Sequence, residues 1–233
     1  MFAEDEAALL IEVAPDELRL AELVARRIAG EPLEHLVGFV EFCGNRYHLG
    51  PGVFIPRQRS QLLVDEAVRL GGTSILDLCC GCGALGLAVQ ARIGGRLVGA
   101  DLSPDAVEYA RVNGIRNVYG GDLFAALPGR YRASFDLIIA NAPYVPSEAI
   151  AGMPRDSRDF EPRTAVDGGA DGMDLQRAVL AHAQEWLTPD GHLLTETSRQ
   201  QASRLASYGT TLGWVTSVVE DPDLGAHVLV AHR

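Results

Sequence analysis

Residues Leu76 to Leu87, LDLCCGCGALGL, decide the fold. The preceding SILDL is an apolar strand candidate and ALGLAVQARI reads as a helix, so the stretch is a strand, a tight turn and a helix start. Gly81, Gly83 and Gly86 form a G-x-G-x-x-G, in which a backbone without side chains lets a ligand come close. The turn also carries Cys79, Cys80 and Cys82, three of the four cysteines, with Cys79 and Cys82 in a C-x-x-C. A metal site, a redox pair and a nucleotide loop are the three chemistries to weigh.

A structural metal needs four ligands. The remaining cysteine, Cys43, falls at a hairpin turn, there is no second C-x-x-C, and the six histidines are scattered. A redox pair would open a helix, but Gly81 and Gly83 hold these cysteines in a loop. They read as small residues where the backbone turns tightly. No metal site is expected.

The carboxylates favour the glycine reading. Asp101 lies 18 residues after Gly83 at the end of the next strand, where it would accept bonds from ribose hydroxyls or cap the following helix. Charge-assisted bonds of that kind are worth roughly 1.5–3 kcal/mol each. Asp77 stands just before the loop, where it would repel the pyrophosphate of a dinucleotide but suit an ammonium group. Asp122, in GGDLF, is set to accept from an adenine amino group, with Leu123 or Phe124 against the ring. Together these point to S-adenosylmethionine, with Asp77, Cys79, Cys80, Gly81, Cys82, Gly83, Asp101, Leu102, Asp122, Leu123 and Asn141 as candidate cofactor residues.

Outward from the loop, strand and helix patterns alternate from residue 73 to the end. GRLVGAD, RNVYGGD, FDLIIAN and GHLLTET are strands, and WVTSVVE with AHVLVAH closes the chain as a hairpin. The pattern predicts an α/β doubly wound parallel sheet with an antiparallel carboxyl-terminal hairpin. Residues 1–32 read as a helical segment with one helix over 15–30, and 33–72 as a hairpin turning at Gly44–Asn45, the extended GVFIPR and a linker helix. Residues 145–172 form a long loop of little regular structure, carrying Arg155, Arg158 and Arg163, and are expected to act as a lid.

Composition bounds the function. The chain has 233 residues, 47% hydrophobic and 22% charged, with a formal net charge of −11. That charge argues against extended nucleic-acid binding. No apolar run approaches the roughly 20 residues that span a bilayer. The acidic start, MFAEDEAALL, is unlike a signal peptide, so a cytoplasmic protein is expected.

FDLIIANAPY ends a strand with Asn141, Ala142, Pro143 and Tyr144, the candidate catalytic group. Ala142 precedes proline and is held extended. Its carbonyl and the Asn141 side-chain oxygen are set to accept both hydrogens of one planar NH₂ group. That aims nitrogen electron density at a methyl donor, and Tyr144 would stack on the same plane.

On these motifs the chain resembles the protein-(glutamine-N5) methyltransferases of the HemK/PrmC type. GEPLEHLVGFVEFCG, GVFIPR, LDLCCGCGALGLAV, NAPY, FEPRTAVDGGADGMD and LTPDGHLLTET fall in that family's order. The resemblance spans about residues 30–200. It implies the class I, seven-stranded methyltransferase fold and S-adenosylmethionine. As acceptor it implies a protein, with the glutamine of the Gly-Gly-Gln motif of peptide chain release factors as the methylated residue. Phe54, Pro56, Arg57, Asn141, Tyr144, Glu161 and Pro162 become candidate substrate residues. The chain departs from the pattern at Cys79 for the first loop glycine, Ala142 for the first proline, Leu123 for an aromatic residue, and Gln58 to Gln61 in place of the family's P-x-T-E. Other readings are methylation of an amino nitrogen on a nucleic acid or metabolite, a non-catalytic cofactor-binding protein, and a dehydrogenase.

Overall fold

The computed structural model describes residues 3–233. The amino-terminal segment holds α1 (Ala3–Val13), α2 (Glu17–Ile28) and the short α3 (Leu33–Val37), where the sequence led us to expect one helix. The acidic first turn of α1 hides a helical face: Leu10 packs with Leu23, Leu33 and Leu36 in a small core of their own. Asp16, whose side chain accepts from the Arg19 N–H at 2.8 Å, caps α2.

The hairpin is β1 (Phe39–Phe42) and β2 (Asn45–His48). It turns at Cys43–Gly44, both at positive φ, one residue earlier than expected. The register Val40↔Tyr47 explains the shift, because it puts Val40, Phe42 and Tyr47 on the buried face. A slip of one residue would turn them outward. The GVFIPR segment is extended but joins no sheet. His35, buried in α3, meets its Val53 carbonyl at 3.0 Å and ties the amino-terminal helices to it.

The remainder alternates as expected, apart from α7 inside the 145–172 loop: α4 (Gln61–Leu70), β3 (Ser74–Leu78), α5 (Ala84–Ile93), β4 (Arg96–Asp101), α6 (Pro104–Val112), β5 (Asn117–Gly120), β6 (Phe135–Ala140), α7 (Arg155–Phe160), α8 (Asp174–His182), β7 (Leu187–Thr197), α9 (Arg199–Thr211), β8 (Val215–Asp221) and β9 (Ala226–His232). The sheet order is β5-β4-β3-β6-β7-β9-β8, with β9 antiparallel to both β7 and β8. One core layer packs Val89, Leu97 and Leu137 and the other Phe135, Ile138 and Trp186, so both faces are covered. Strand order reverses at β3, flanked by β4 and β6, and the crevice beyond its carboxyl end is where such folds take ligands.

Residues 145–172 are more regular than expected. Pro146, Pro154 and Pro162 each precede a helical turn: Ser147–Gly152, α7 and Arg163–Ala165. A bridge between Val145 and Asp167 closes the segment on itself. Proline fixes φ at each start, which makes these short turns affordable.

Among the described residues no helix is long and apolar enough to cross a membrane.

Candidate active site

Beyond the carboxyl ends of β3 and β4 lies a cavity with about 930 Å³ of empty space, part of it open to solvent. Asp77 borders it from the end of β3, 1% exposed, with the Gly86 N–H donating to its Oδ2 at 2.9 Å. Gly86 permits that approach, because a Cβ there would lie 2.8 Å from the same oxygen. Burial, and then the nearby charge of Asp101, push the Asp77 carboxyl up to about 8. A buried acid with one N–H partner suits a ligand bearing an ammonium group.

The glycine loop wraps the near wall. Cys79, Cys80, Gly81 and Cys82 all border the cavity. Gly83 does not: it opens α5 at positive φ, and a Cβ there would lie 2.7 Å from Ile115 Cδ1. Its role is packing. Cys79 sits in the left-handed region, φ +58, where a glycine would be unstrained. It packs toward one core layer, whereas Cys80 and Cys82 belong to the other. Burial raises all three thiols, Cys82 to about 12, which leaves them unreactive.

Asp101 is engaged by the backbone. Its Oδ2 accepts from the Gly81 N–H and its Oδ1 from the Ser103 N–H, each at 2.8 Å. Each oxygen keeps a lone pair, and the side chain borders the cavity. The cap of α6 is Ser103, which accepts from the Ala106 N–H, and Asp101 does not serve as one. Leu102, 59% exposed, and Leu123, at φ +43, offer apolar surface beside Asp122 at the same cavity. Phe124 is turned away, stacked on Trp186 at 5.7 Å inside the core. Of the two residues expected against an adenine, only Leu123 is at hand.

A second cavity, with about 1000 Å³ of empty space partly open to solvent, adjoins the first. Phe54, Asn141, Pro143 and Ala165 border both. Ala142, Tyr144 and Arg57 border the second alone, and Pro56 and Pro162 the first alone. Asn141 and Pro143 therefore stand at the seam between two chambers. Met153, Pro154 and Ser157, from the 145–172 segment, wall part of the second chamber. The segment's arginines do not line either chamber. Arg155 and Arg158 pair with Asp159, and Arg163 pairs with Asp167.

Glu161 stands behind the wall instead of facing the cavities. It is 5% exposed, accepts the Ile55 N–H at 3.0 Å and pairs with Arg57. Burial raises its carboxyl, with Arg57 opposing. Arg57 also donates to Ser157 Oγ at 3.0 Å and lies over the Phe54 ring at 5.0 Å. The pair fastens the GVFIPR segment to the 145–172 segment.

Glu196 was not legible as a site residue, and Ser60 stood out only within the Gln58 to Gln61 departure that the resemblance places near the acceptor entrance. The Glu196 carboxylate, at the end of β7, accepts from Ser60 Oγ at 2.5 Å, from the Tyr144 hydroxyl at 2.8 Å and from Arg59 Nε at 3.0 Å. The one signal was a glutamate inside the apolar run LLTET. Tyr144 also accepts from Arg59 Nη2 at 2.8 Å, and burial, then Glu196, hold its hydroxyl above its ordinary value. Among the described residues no group of side chains is suited to a metal ion.

Comparison with known proteins fits this geometry. A family model described as a methyltransferase domain matches residues 70–223. The release factor glutamine methyltransferase of Geobacter sulfurreducens is 35% identical over 219 residues, 90% of this chain and 76% of that protein. Its counterpart in Mycolicibacterium smegmatis is 35% identical, covering 94% and 82%. The ribosomal protein uL3 glutamine methyltransferase of Burkholderia pseudomallei is 34% identical, covering 93% and 77%. Among solved structures, a methyltransferase from Pyrococcus furiosus superposes with a TM-score of 0.61 at 16% identity, over 93% of this chain and 98% of that one. An O-methyltransferase family protein from Burkholderia thailandensis gives 0.51 at 15%, over 76% and 56%. The chain therefore belongs to the release factor glutamine methyltransferase family and has the class I methyltransferase fold.

Proposed function

We propose that this protein transfers the methyl group of S-adenosylmethionine to the side-chain amide nitrogen of a glutamine in a protein, the Gly-Gly-Gln motif of a peptide chain release factor being the first candidate. The observation that carries this reading is that Asn141 and Pro143 border both chambers. One chamber, with Asp77 and the glycine loop, fits the methyl donor, and the other fits the acceptor. When bound, the donor supplies an electrophilic methyl on a sulfonium. The chain's own residues do the rest.

Asp77 would face the ammonium end, and Asp101 would offer its remaining lone pairs to ribose hydroxyls. Asp122 would accept from the adenine amino group, with Leu102 and Leu123 against the ring. At the seam, the Asn141 side-chain oxygen and the Ala142 carbonyl would accept the two hydrogens of the glutamine NH₂. An amide nitrogen is a poor nucleophile in water, so this orientation is the main contribution required of the site. No strong base is needed, because the positively charged N-methylated amide formed by the transfer is strongly acidic and gives its proton to water once the acceptor site reopens. The lid over residues 145–172 excludes water from the acceptor.

A second acceptor has support of its own, since one relative carries a ribosomal protein in its name. The test incubates purified protein with labelled donor and either release factors or ribosomal proteins, then locates the added mass by peptide sequencing. Methyl on a glutamine amide supports the reading. Methyl on RNA or on a metabolite, or none at all, overturns it. Asn141→Ala is expected to lose about a hundredfold or more in turnover while S-adenosylhomocysteine affinity stays within about threefold. Wild-type turnover in that variant would end the orienting role.

A further inference from the structure

We infer that Ser60 and Glu196 are positioning residues that fix which end of the Asn141 carboxamide faces the acceptor, and so make the site select an NH₂-bearing side chain. The inference rests on the acceptor-orienting role of Asn141 and deepens it.

A carboxamide has a donor end and an acceptor end of nearly the same shape, so only its hydrogen-bond partners decide which way it lies. Asn141 Nδ2 donates to Ser60 Oγ at 3.4 Å. Ser60 has a single proton, and that proton goes to Glu196 Oε2 at 2.5 Å. The Glu196 carboxylate can only accept, and it also takes the Tyr144 hydroxyl and Arg59 Nε–H. The guanidinium of Arg59 can only donate. The direction of every bond follows from these two ends: Arg59 into Tyr144, Tyr144 and Ser60 into Glu196, Asn141 into Ser60.

Turning the Asn141 amide over would set its oxygen against a serine oxygen that has no proton left to give. The relay is rigid as well as polar. Ser60 is fully buried where α4 begins, Glu196 is 1% exposed, and the Glu196 carbonyl accepts from Gln176 Nε2 at 2.6 Å. Oδ1 of Asn141 is thereby left for the seam. It welcomes a donor such as the glutamine NH₂ and repels a carboxylate or carbonyl oxygen. Residues separated by 136 positions in sequence thus set the chemical selectivity of the site.

The test uses the intact protein. Ser60→Ala removes the relay. Glu196→Gln keeps its shape but can present an NH₂ to Ser60, which frees the serine proton for Asn141 Oδ1. Both variants are expected to lose about tenfold or more in kcat, with KM for S-adenosylmethionine changed less than about twofold. Their preference for binding a Gly-Gly-Gln peptide over a Gly-Gly-Glu peptide should fall about tenfold. Ser60→Thr, which restores the hydroxyl, should recover most of both.

A second readout needs no acceptor. The Asn141 side-chain amide resonances, assigned by their loss in Asn141→Ala, should shift in Ser60→Ala and Glu196→Gln and stay in place in Ser60→Thr. Resonances unmoved in the first two variants, or wild-type kcat in Ser60→Ala, would overturn the relay. A wild-type protein that methylates no glutamine would sink the proposed function, and the spectra would still decide the relay.

Discussion

At single residues the site carries two tensions with opposite consequences, one in the backbone at Cys79 and one in the buried charge of Asp77. Cys79 occupies a left-handed conformation that L side chains adopt at a cost of roughly 1–2 kcal/mol, and its thiol is too buried to react. Cys79→Gly is expected to stabilise the protein by about 0.5–1 kcal/mol, after the extra chain entropy of glycine is subtracted, as read by urea denaturation. Asp77 carries the other tension. Its carboxyl titrates near 8 in the folded protein against an ordinary 3.8, so folding takes up a proton between those values and stability falls as pH rises through the window. An ammonium group placed beside it favours the charged form. Binding of S-adenosylhomocysteine at about pH 7 should therefore release a proton, seen as a buffer-dependent enthalpy in calorimetry, and Asp77→Asn should abolish that dependence.

At the level of elements, the second chamber is walled by Asn141 to Tyr144 after β6 and by two segments that join no sheet. GVFIPR and the proline-punctuated 145–172 segment hold one another through Glu161, whose carboxylate takes the Ile55 N–H and Arg57. Removing it strands a backbone donor and a cation at a largely buried joint. Glu161→Ala is expected to cost about 2 kcal/mol in unfolding free energy and to raise KM for the protein acceptor more than KM for the methyl donor. An unchanged acceptor KM would separate this joint from the acceptor chamber. Each start in the 145–172 segment was written in the sequence as a proline, yet each helical turn is too short to carry a readable period.

Across the whole molecule, ligand and fold are coupled by mass action. A ligand lodged between the carboxyl ends of β3 and β4 touches the crevice where the sheet order reverses, so binding should stabilise the sheet domain as a unit. S-adenosylhomocysteine at a hundred times its Kd is expected to add about 2.7 kcal/mol and raise Tm, whereas a nicotinamide dinucleotide should leave Tm unchanged. Stabilisation by the dinucleotide instead would favour a dehydrogenase.

What the sequence alone determined is the local grammar. Apolar runs of strand length and glycines where the chain must turn tightly pointed to the alternating sheet and located Asp77, Asp101 and Asn141 at strand ends. Those signals are short-range, because periodicity and turn chemistry act within a few residues. The one-residue shift of the hairpin turn, the acidic helix α1 and the inward stacking of Phe124 needed packing partners to decide them. Only tertiary structure brought Arg59, Ser60 and Glu196 to Asn141, since β7 and the start of α4 meet there across more than half the chain. A buried carboxylate acquires its role from what the fold places against it, and nothing in its own neighbourhood of sequence encodes those partners.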